Sequence, residues 1–219
     1  MQNSRPTGAS AVDRAKAVLR ERVAQGEYVP GQRLVEPEIA VQLGVSRATL
    51  REAFRGLEAE GLLRLERYKG ASVRRLAHAE VAELFEIREM LEGLAARRAA
   101  GAAAGERARV GVLVRQMEDA AAAGQVERYS ALNLEFHDLL LALAHSGTLA
   151  GLAAQIRMPV VLRLLHRRLL SADAIGKSLA EHRGIAQAVV AGEAERAEQA
   201  MRRHIRSSLR SVERMPGLG

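Results

Sequence analysis

The chain has 219 residues, with 33 Lys and Arg against 26 Asp and Glu for a net charge of +7, and no cysteine. That length allows one or two domains with ordinary cores, and the missing thiols exclude disulfides, thiolate metal sites and cysteine nucleophiles. No stretch approaches the roughly 18 apolar residues of a membrane span and the amino terminus lacks a signal-peptide core, so a soluble, cytoplasmic protein with no membrane partner is expected. The charge is unevenly placed: residues 1–76 hold 14 basic against 9 acidic side chains, and the rest hold 19 against 17. A basic small region beside a nearly neutral large one suits a polyanion on one side only. Of the basic residues 30 are arginine, a bias that a GC-rich genome also produces, so arginine abundance as such carries no weight.

Residues 1–9 are polar and read as a disordered arm. From Ser10 the apolar positions Val12, Ala15, Val18, Leu19 and Val23 predict an amphipathic helix that stops near Gly26. Tyr28–Gly31 then turns the chain into a short helix over Glu36–Leu43, with Ile39, Ala40 and Leu43 on its apolar face. Leu43-Gly44-Val45 is a tight turn, and Ser46 is placed to cap a second helix by accepting a hydrogen bond from a free first-turn amide. In that helix Leu50, Ala53, Phe54 and Leu57 share one face, while Arg47, Arg51 and Arg55 recur at i,i+4 on the next. Three arginines so spaced also suit an ordinary solvated surface. The neighbouring stretch decides between the two: Leu62–Leu76 alternates as a strand, a turn around Tyr68-Lys69-Gly70 and a returning strand, a basic hairpin of the kind that flanks a helix-turn-helix as a wing. Residues 10–76 therefore read as a winged helix-turn-helix for double-stranded DNA.

The run PGQRLVEPEIAVQLGVSRATLREAFRGLEAEGLL resembles the GntR family of bacterial transcription regulators. The resemblance implies that Arg47, Thr49 and Arg51 reach bases and phosphates, with Arg55 on the same basic face, and that the wing tip, Lys69 and Gly70, approaches the minor groove. Two departures stand out. Pro37 occupies a position where many relatives carry an arginine, which removes a contact from the helix before the reader. Ala48-Thr49-Leu50 replaces the frequent Thr-Pro-Val and bears on fine specificity.

After a brief linker at Leu76–His78 no strand pattern appears. Helices are predicted at about 79–103, 106–123, 126–145, 148–157, 159–171, 177–191 and 193–213, with breaks at Gly105, Gly124, Gly147, Pro159, Gly176 and Gly192. The fold class is thus mainly α: the winged reader followed by an all-helical antiparallel bundle over residues 77–219. Leu84-Phe85-Glu86-Ile87-Arg88 with Glu92, Asn133 with Phe136-His137, His182, and His204-Ile205 make this half similar to the FCD domain of the FadR branch. That resemblance implies a bundle of six or seven helices that holds a small effector.

Within the bundle Asn133 and His137 are four apart on one face with Leu140, Leu141 and Ala144. His182 aligns with Ile185, Ala186 and Val189, and His204 with Ala197, Met201 and Ser208. Each imidazole interrupts an apolar or small-residue stripe. A lone histidine there is usually a hydrogen-bonded core residue, but three from three helices are all satisfied by one divalent cation such as zinc, nickel or manganese. In metal-binding FCD relatives an aspartate completes the set where this chain has Asn133, a neutral and weaker ligand. No other carboxylate is an obvious substitute from spacing. His78, His145 and His166 lack the inward spacing that the resemblance places near the metal. Arg88 interrupts the stripe of Val81, Leu84, Phe85, Leu91 and Ala95, one turn before Glu92. It reads either as a self-neutralising pair with Glu92 or, as in relatives, as a fork facing the effector's carboxylate, and both hold if Glu92 orients Arg88.

The reading is a homodimeric regulator that binds a palindromic operator, is switched by a small carboxylate with a divalent metal, and is not an enzyme. Two rivals are a metal-dependent hydrolase built on the histidines and a ligand-free constitutive DNA binder.

Overall fold

The computed structural model describes residues 10–67, 70–156 and 171–214. The chain divides after Leu76 into two compact units.

In the first unit Ser10 caps helix α1 (Ala11–Gln25), its hydroxyl accepting from the Asp13 amide, and Gly26 ends it in a left-handed conformation. Ala15, Leu19, Val23 and Ala24 are buried, whereas Val18 is on the exposed side of the predicted stripe. Helices α2 (Glu36–Leu43) and α3 (Arg47–Ala59) meet at Gly44, whose φ of +62° is a conformation that L side chains resist. Leu50, Ala53, Phe54 and Leu57 of α3 are buried, all at 3% exposure or less, a burial worth about 1.5–3 kcal/mol for each large side chain. Strands β2 (Leu63–Glu66) and β3 (Gly70–Val73) pair antiparallel from Leu63 opposite Val73 to Glu66 opposite Gly70. A third strand, β1 (Arg33–Leu34), pairs antiparallel with β3 and completes the order β1-β3-β2. Two residues are too short to show alternation, so this strand is invisible to a periodicity argument. Glu60, just past α3, receives Lys16 at 2.7 Å and Arg20 at 2.7 Å. Burial raises its carboxyl, but these two cations outweigh it and leave the group below its ordinary range.

The second unit is helical: α4 (His78–Ala100), α5 (Ala104–Ala122), α6 (Val126–Leu143), α7 (Gly147–Gln155), α8 (Ala172–Ala191) and α9 (Ala194–Glu213). Helices α4 and α9 pack at close range. Ala95, Ala96, Ala99 and Ala100 are buried, and a Cβ added at Gly93 would lie 2.8 Å from Arg202 Cγ. Arg202 and Arg206 of α9 both reach Glu89 of α4 at 3.0 Å.

Three predicted breaks are corrected. Gly105 lies inside α5, because the helix starts at Ala104 with Glu106 reaching back to the Ala103 amide. Gly147 is the first residue of α7, capped by Ser146. Gly176 lies inside α8, which Ser171 initiates by accepting from the Ala174 amide; a serine cap is worth about 1 kcal/mol, enough to offset one interior glycine. Gly124 and Gly192 do end helices, with φ of +66° and +78°. The helix predicted over 159–171 lies outside the described residues, apart from its last residue, Ser171.

Candidate functional site

The first unit presents its arginines as an exposed row. Arg47, Arg51 and Arg55 are all exposed on α3 and Thr49 is half-buried. The Ser46 hydroxyl lies 2.9 Å from that of Thr49 and accepts the Thr49 amide at 3.1 Å, which fixes the first turn of the helix. Arg51 Nε donates to both carboxylate oxygens of Glu36 on α2 at 2.9 Å, so its fork is held between the two helices. Such an exposed pair adds at most about 1 kcal/mol to stability, and phosphate or base oxygens can replace the carboxylate. Gly70 is exposed at the start of β3 with φ +84°. Lys69 lies outside the described residues.

The second unit gathers its polar residues inside. His137 of α6, His182 of α8 and His204 of α9 each bring one ring nitrogen within 4.8 Å of the others. The ring centroids are 5.6 Å apart for His137 and His182, 5.4 Å for His137 and His204, and 4.4 Å for His182 and His204. Phe136 stands edge-on to His182 at 4.8 Å and closes one side with carbon. His182 is 0% exposed and His204 4%. On α9 Ser207 is buried with His204, while the predicted stripe member Ser208 is half-buried.

The tautomers are set by the outer partners. His182 Nδ1 donates to the Ser178 carbonyl at 2.7 Å, which leaves Nε2 as a lone pair, buried and without a partner. His204 Nδ1 donates to Glu181 Oε2 at 2.8 Å. His137 Nδ1 lies 2.5 Å from Glu92 Oε2, close enough to place the ring proton on Nδ1, although the angle is not that of a regular hydrogen bond. With each Nδ1 facing an oxygen, three Nε2 lone pairs remain. Burial pushes the His182 ring well below its ordinary value, and the two neighbouring rings push it further. Burial also lowers His204, against the opposing pull of Glu181. For His182 and His204 burial thus favours the neutral imidazole, the form that ligates metal.

Sequence reasoning missed Glu181 altogether and, having paired Glu92 with Arg88, missed that Glu92 also reaches a histidine. Glu181 lies one residue before His182, yet serves His204 on another helix. Glu92 of α4 is 8% exposed; its Oε1 accepts from Arg88 Nε at 2.8 Å while its Oε2 meets His137. Burial alone would raise the Glu92 carboxyl, but Arg88 and His137 together hold it far below the usual carboxylate range. The Arg88–Glu92 pair anticipated from the i,i+4 spacing is present, and Arg88 Nη1 is buried without a partner. Asn133 is half-buried on α6, one turn before His137. Tyr129, two turns before, buries its hydroxyl. A separate groove of about 610 Å³ runs between α5 and α8 past Gly111, Val114 and Val190; it contains none of these histidines.

Comparison with known proteins gives this arrangement its context. Residues 11–73 match the bacterial regulatory proteins of the gntR family, and residues 83–207 match the FCD domain. Over 209 residues the chain is 32% identical to a "Probable D-xylose utilization operon transcriptional repressor" of Paenarthrobacter nicotinovorans, covering 94% of this chain and 91% of that one. It is 27% identical over 227 residues to the galactonate operon transcriptional repressor of Escherichia coli (strain K12), covering 91% and 96%. Among solved structures, a transcriptional regulator GntR from Rhodococcus sp. RHA1 aligns with a TM-score of 0.70 at 25% identity, over 94% of this chain and 98% of that one. Among the described residues no helix is long and apolar enough to cross a membrane. The chain belongs to the GntR family of transcription regulators with a C-terminal FCD domain: a DNA-binding regulator that responds to a ligand.

Proposed function

We propose that this regulator binds a palindromic operator as a homodimer, and that a small carboxylate, held beside a divalent metal in the FCD bundle, switches its affinity for DNA. The observation that carries the reading is the convergence of three ring nitrogens within 4.8 Å, with His182 Nε2 buried and unpartnered. A bare lone pair in a dry site costs free energy unless something occupies it. The residues fit an ion. Metal–nitrogen bonds of about 2.1 Å at tetrahedral angles set ligand nitrogens about 3.4 Å apart, so side-chain shifts of about an ångström close the site. His137, His182 and His204 would hold the ion, with Asn133 as a neutral fourth ligand. When bound, it supplies positive charge for an anionic effector.

Arg88 supports the carboxylate. Its Nη1 is buried and free while Nε is held by Glu92, so part of a planar fork remains for a second oxyanion. For DNA, Arg47, Thr49, Arg51 and Arg55 form the reading face, with Lys69 and Gly70 as the wing contact. A pair of such faces reads a palindrome as a two-fold dimer. An effector that binds one placement of the readers better than another shifts operator affinity by that difference. Hydrolysis is disfavoured, because both carboxylates at the histidines, Glu92 and Glu181, are already tied to ring nitrogens and neither is free as a general base.

The test combines operator binding with calorimetry on protein loaded with zinc, nickel or manganese. Galactonate is the first acid to try, on the strength of the relative named for the galactonate operon. Asn133→Asp should tighten the metal and weaken the carboxylate, since it adds a negative charge to the same site. Arg88→Lys should weaken the carboxylate alone. An acid whose affinity ignored both Arg88→Lys and metal removal would overturn the shared site.

A further inference from the structure

Glu92 has one carboxylate and two half-buried clients. Its Oε1 accepts from Arg88 Nε at 2.8 Å and its Oε2 lies 2.5 Å from His137 Nδ1. Arg88 and Glu92 are one turn apart on α4 and His137 comes from α6, so this single side chain bridges Arg88 and the histidine cluster. Both clients have a second polar group: Arg88 a buried, unpartnered Nη1, and His137 the ring nitrogen that faces away from Glu92, Nε2. A carboxylate on one imidazole nitrogen fixes the tautomer and raises the basicity of the other.

The geometry points to Glu92 as the positioning residue that couples the two halves of the site: it presents His137 Nε2 to the metal and simultaneously holds Arg88 for the effector. This rests on the metal reading above. The coupling has a sign. An ion on His137 Nε2 makes Nδ1–H a stronger donor and draws Glu92 toward the ring, which loosens Arg88 for an incoming oxyanion. An oxyanion that takes Arg88 leaves Glu92 free to serve His137. Metal and carboxylate then tighten each other by the same factor, as linkage requires. The arrangement also places a full negative charge behind the ligand set in a chain whose own helix position one turn before His137 is the neutral Asn133.

The experiment uses Ni²⁺ alone on full-length protein, with affinity measured by competition against a chelator. Arg88→Gln/Glu92→Gln removes both charges of the buried pair together, so the core gains no unpaired ion. It should bind Ni²⁺ about 10–100-fold more weakly than wild type, the usual cost of losing a partner behind a metal-bound histidine. Arg88→Gln alone leaves Glu92 wholly to His137 and should bind Ni²⁺ as tightly as wild type or tighter. ¹⁵N NMR of the metal-free wild-type protein should show the His137 ring proton on Nδ1, a readout that a merely structural glutamate does not set. Equal Ni²⁺ affinity in the folded double variant and in Arg88→Gln, or a His137 proton on Nε2, overturns the assignment to Glu92 while leaving the metal site intact. Wild-type protein that takes up no Ni²⁺, Zn²⁺ or Mn²⁺ overturns the metal reading itself, and the coupling with it.

Discussion

The two units solve recognition in opposite ways. On α3 the packing face and the proposed reading face are different residues: Leu50 is fully buried while Arg47, Arg51 and Arg55 are exposed. In the bundle the packing residues and the proposed metal ligands coincide, because His182 is fully buried against Phe136 and the other two rings. DNA is a large polyanion that meets the protein from outside, where its phosphates keep much of their solvent. A small anion or cation must be stripped of water, so its partners lie inside and share the energetics of folding.

That contrast can be broken or sharpened by measurement, starting with the largest effect. Leu50→Ala should destabilise the first unit by about 2–5 kcal/mol, as for other large-to-small core changes. Denaturant unfolding checks it, and a loss within error of zero would mean that α3 is not held by this face. In the bundle, saturating metal should stabilise the fold by about 2.7 kcal/mol at a hundred times its dissociation constant. His204→Ala should abolish that gain in a thermal melt with and without Ni²⁺. Should metal-stripped protein melt at one temperature regardless of added zinc, nickel or manganese, the histidines are core polar residues.

Arg47→Ala should weaken operator binding by about 1–3 kcal/mol if it reads a base with both fork nitrogens, with the melting temperature unmoved. A fluorescence titration against operator and scrambled duplex separates lost reading from lost charge. Acid should act on the bundle. His182 and His204 hold protons less tightly in the folded chain than in the unfolded one, so the unfolded chain takes up more protons as pH falls. Stability of the metal-free protein is then full above the ordinary histidine value of 6.5 and declines below it. Glu92 and Glu181, both lowered, extend the decline beneath 4.5. Melts across this range check the sign, and a His182→Phe variant should flatten the upper limb. The smallest effect is that of Arg55→Ala, which should lower the slope of log affinity against log salt by about one unit if it contacts a phosphate. No change in slope would remove Arg55 from the interface.

Legibility divides along the same line. The helix-turn-helix could be read almost residue by residue because its signals are local: Gly44 at positive φ, Ser46 as cap, and an apolar face of four residues next to a basic one. The strand that escaped, Arg33–Leu34, owes its existence to pairing with Ser72 and Ala71, partners nearly forty residues away. In the bundle, glycine alone was a poor guide. Gly105, Gly147 and Gly176 fail to break helices because Glu106, Ser146 and Ser171 provide caps nearby, and a cap offsets a propensity cost of similar size.

The sequence by itself determined which side chains face inward, since 3.6-residue periodicity assigns a face to His137, His182, His204 and Arg88 wherever the helices end up. It also determined the Arg88–Glu92 pair, whose spacing is internal to one helix. Only the tertiary structure decided that Glu181 serves His204 rather than its neighbour His182, and that Glu92 reaches His137. These contacts join α8 to α9 and α4 to α6, and the spacing of residues along one helix carries no information about the rotation of another against it. Packing sets that rotation, through small residues such as Gly93 that let α4 and α9 approach, and with it the choice of which carboxylate stands behind which ring.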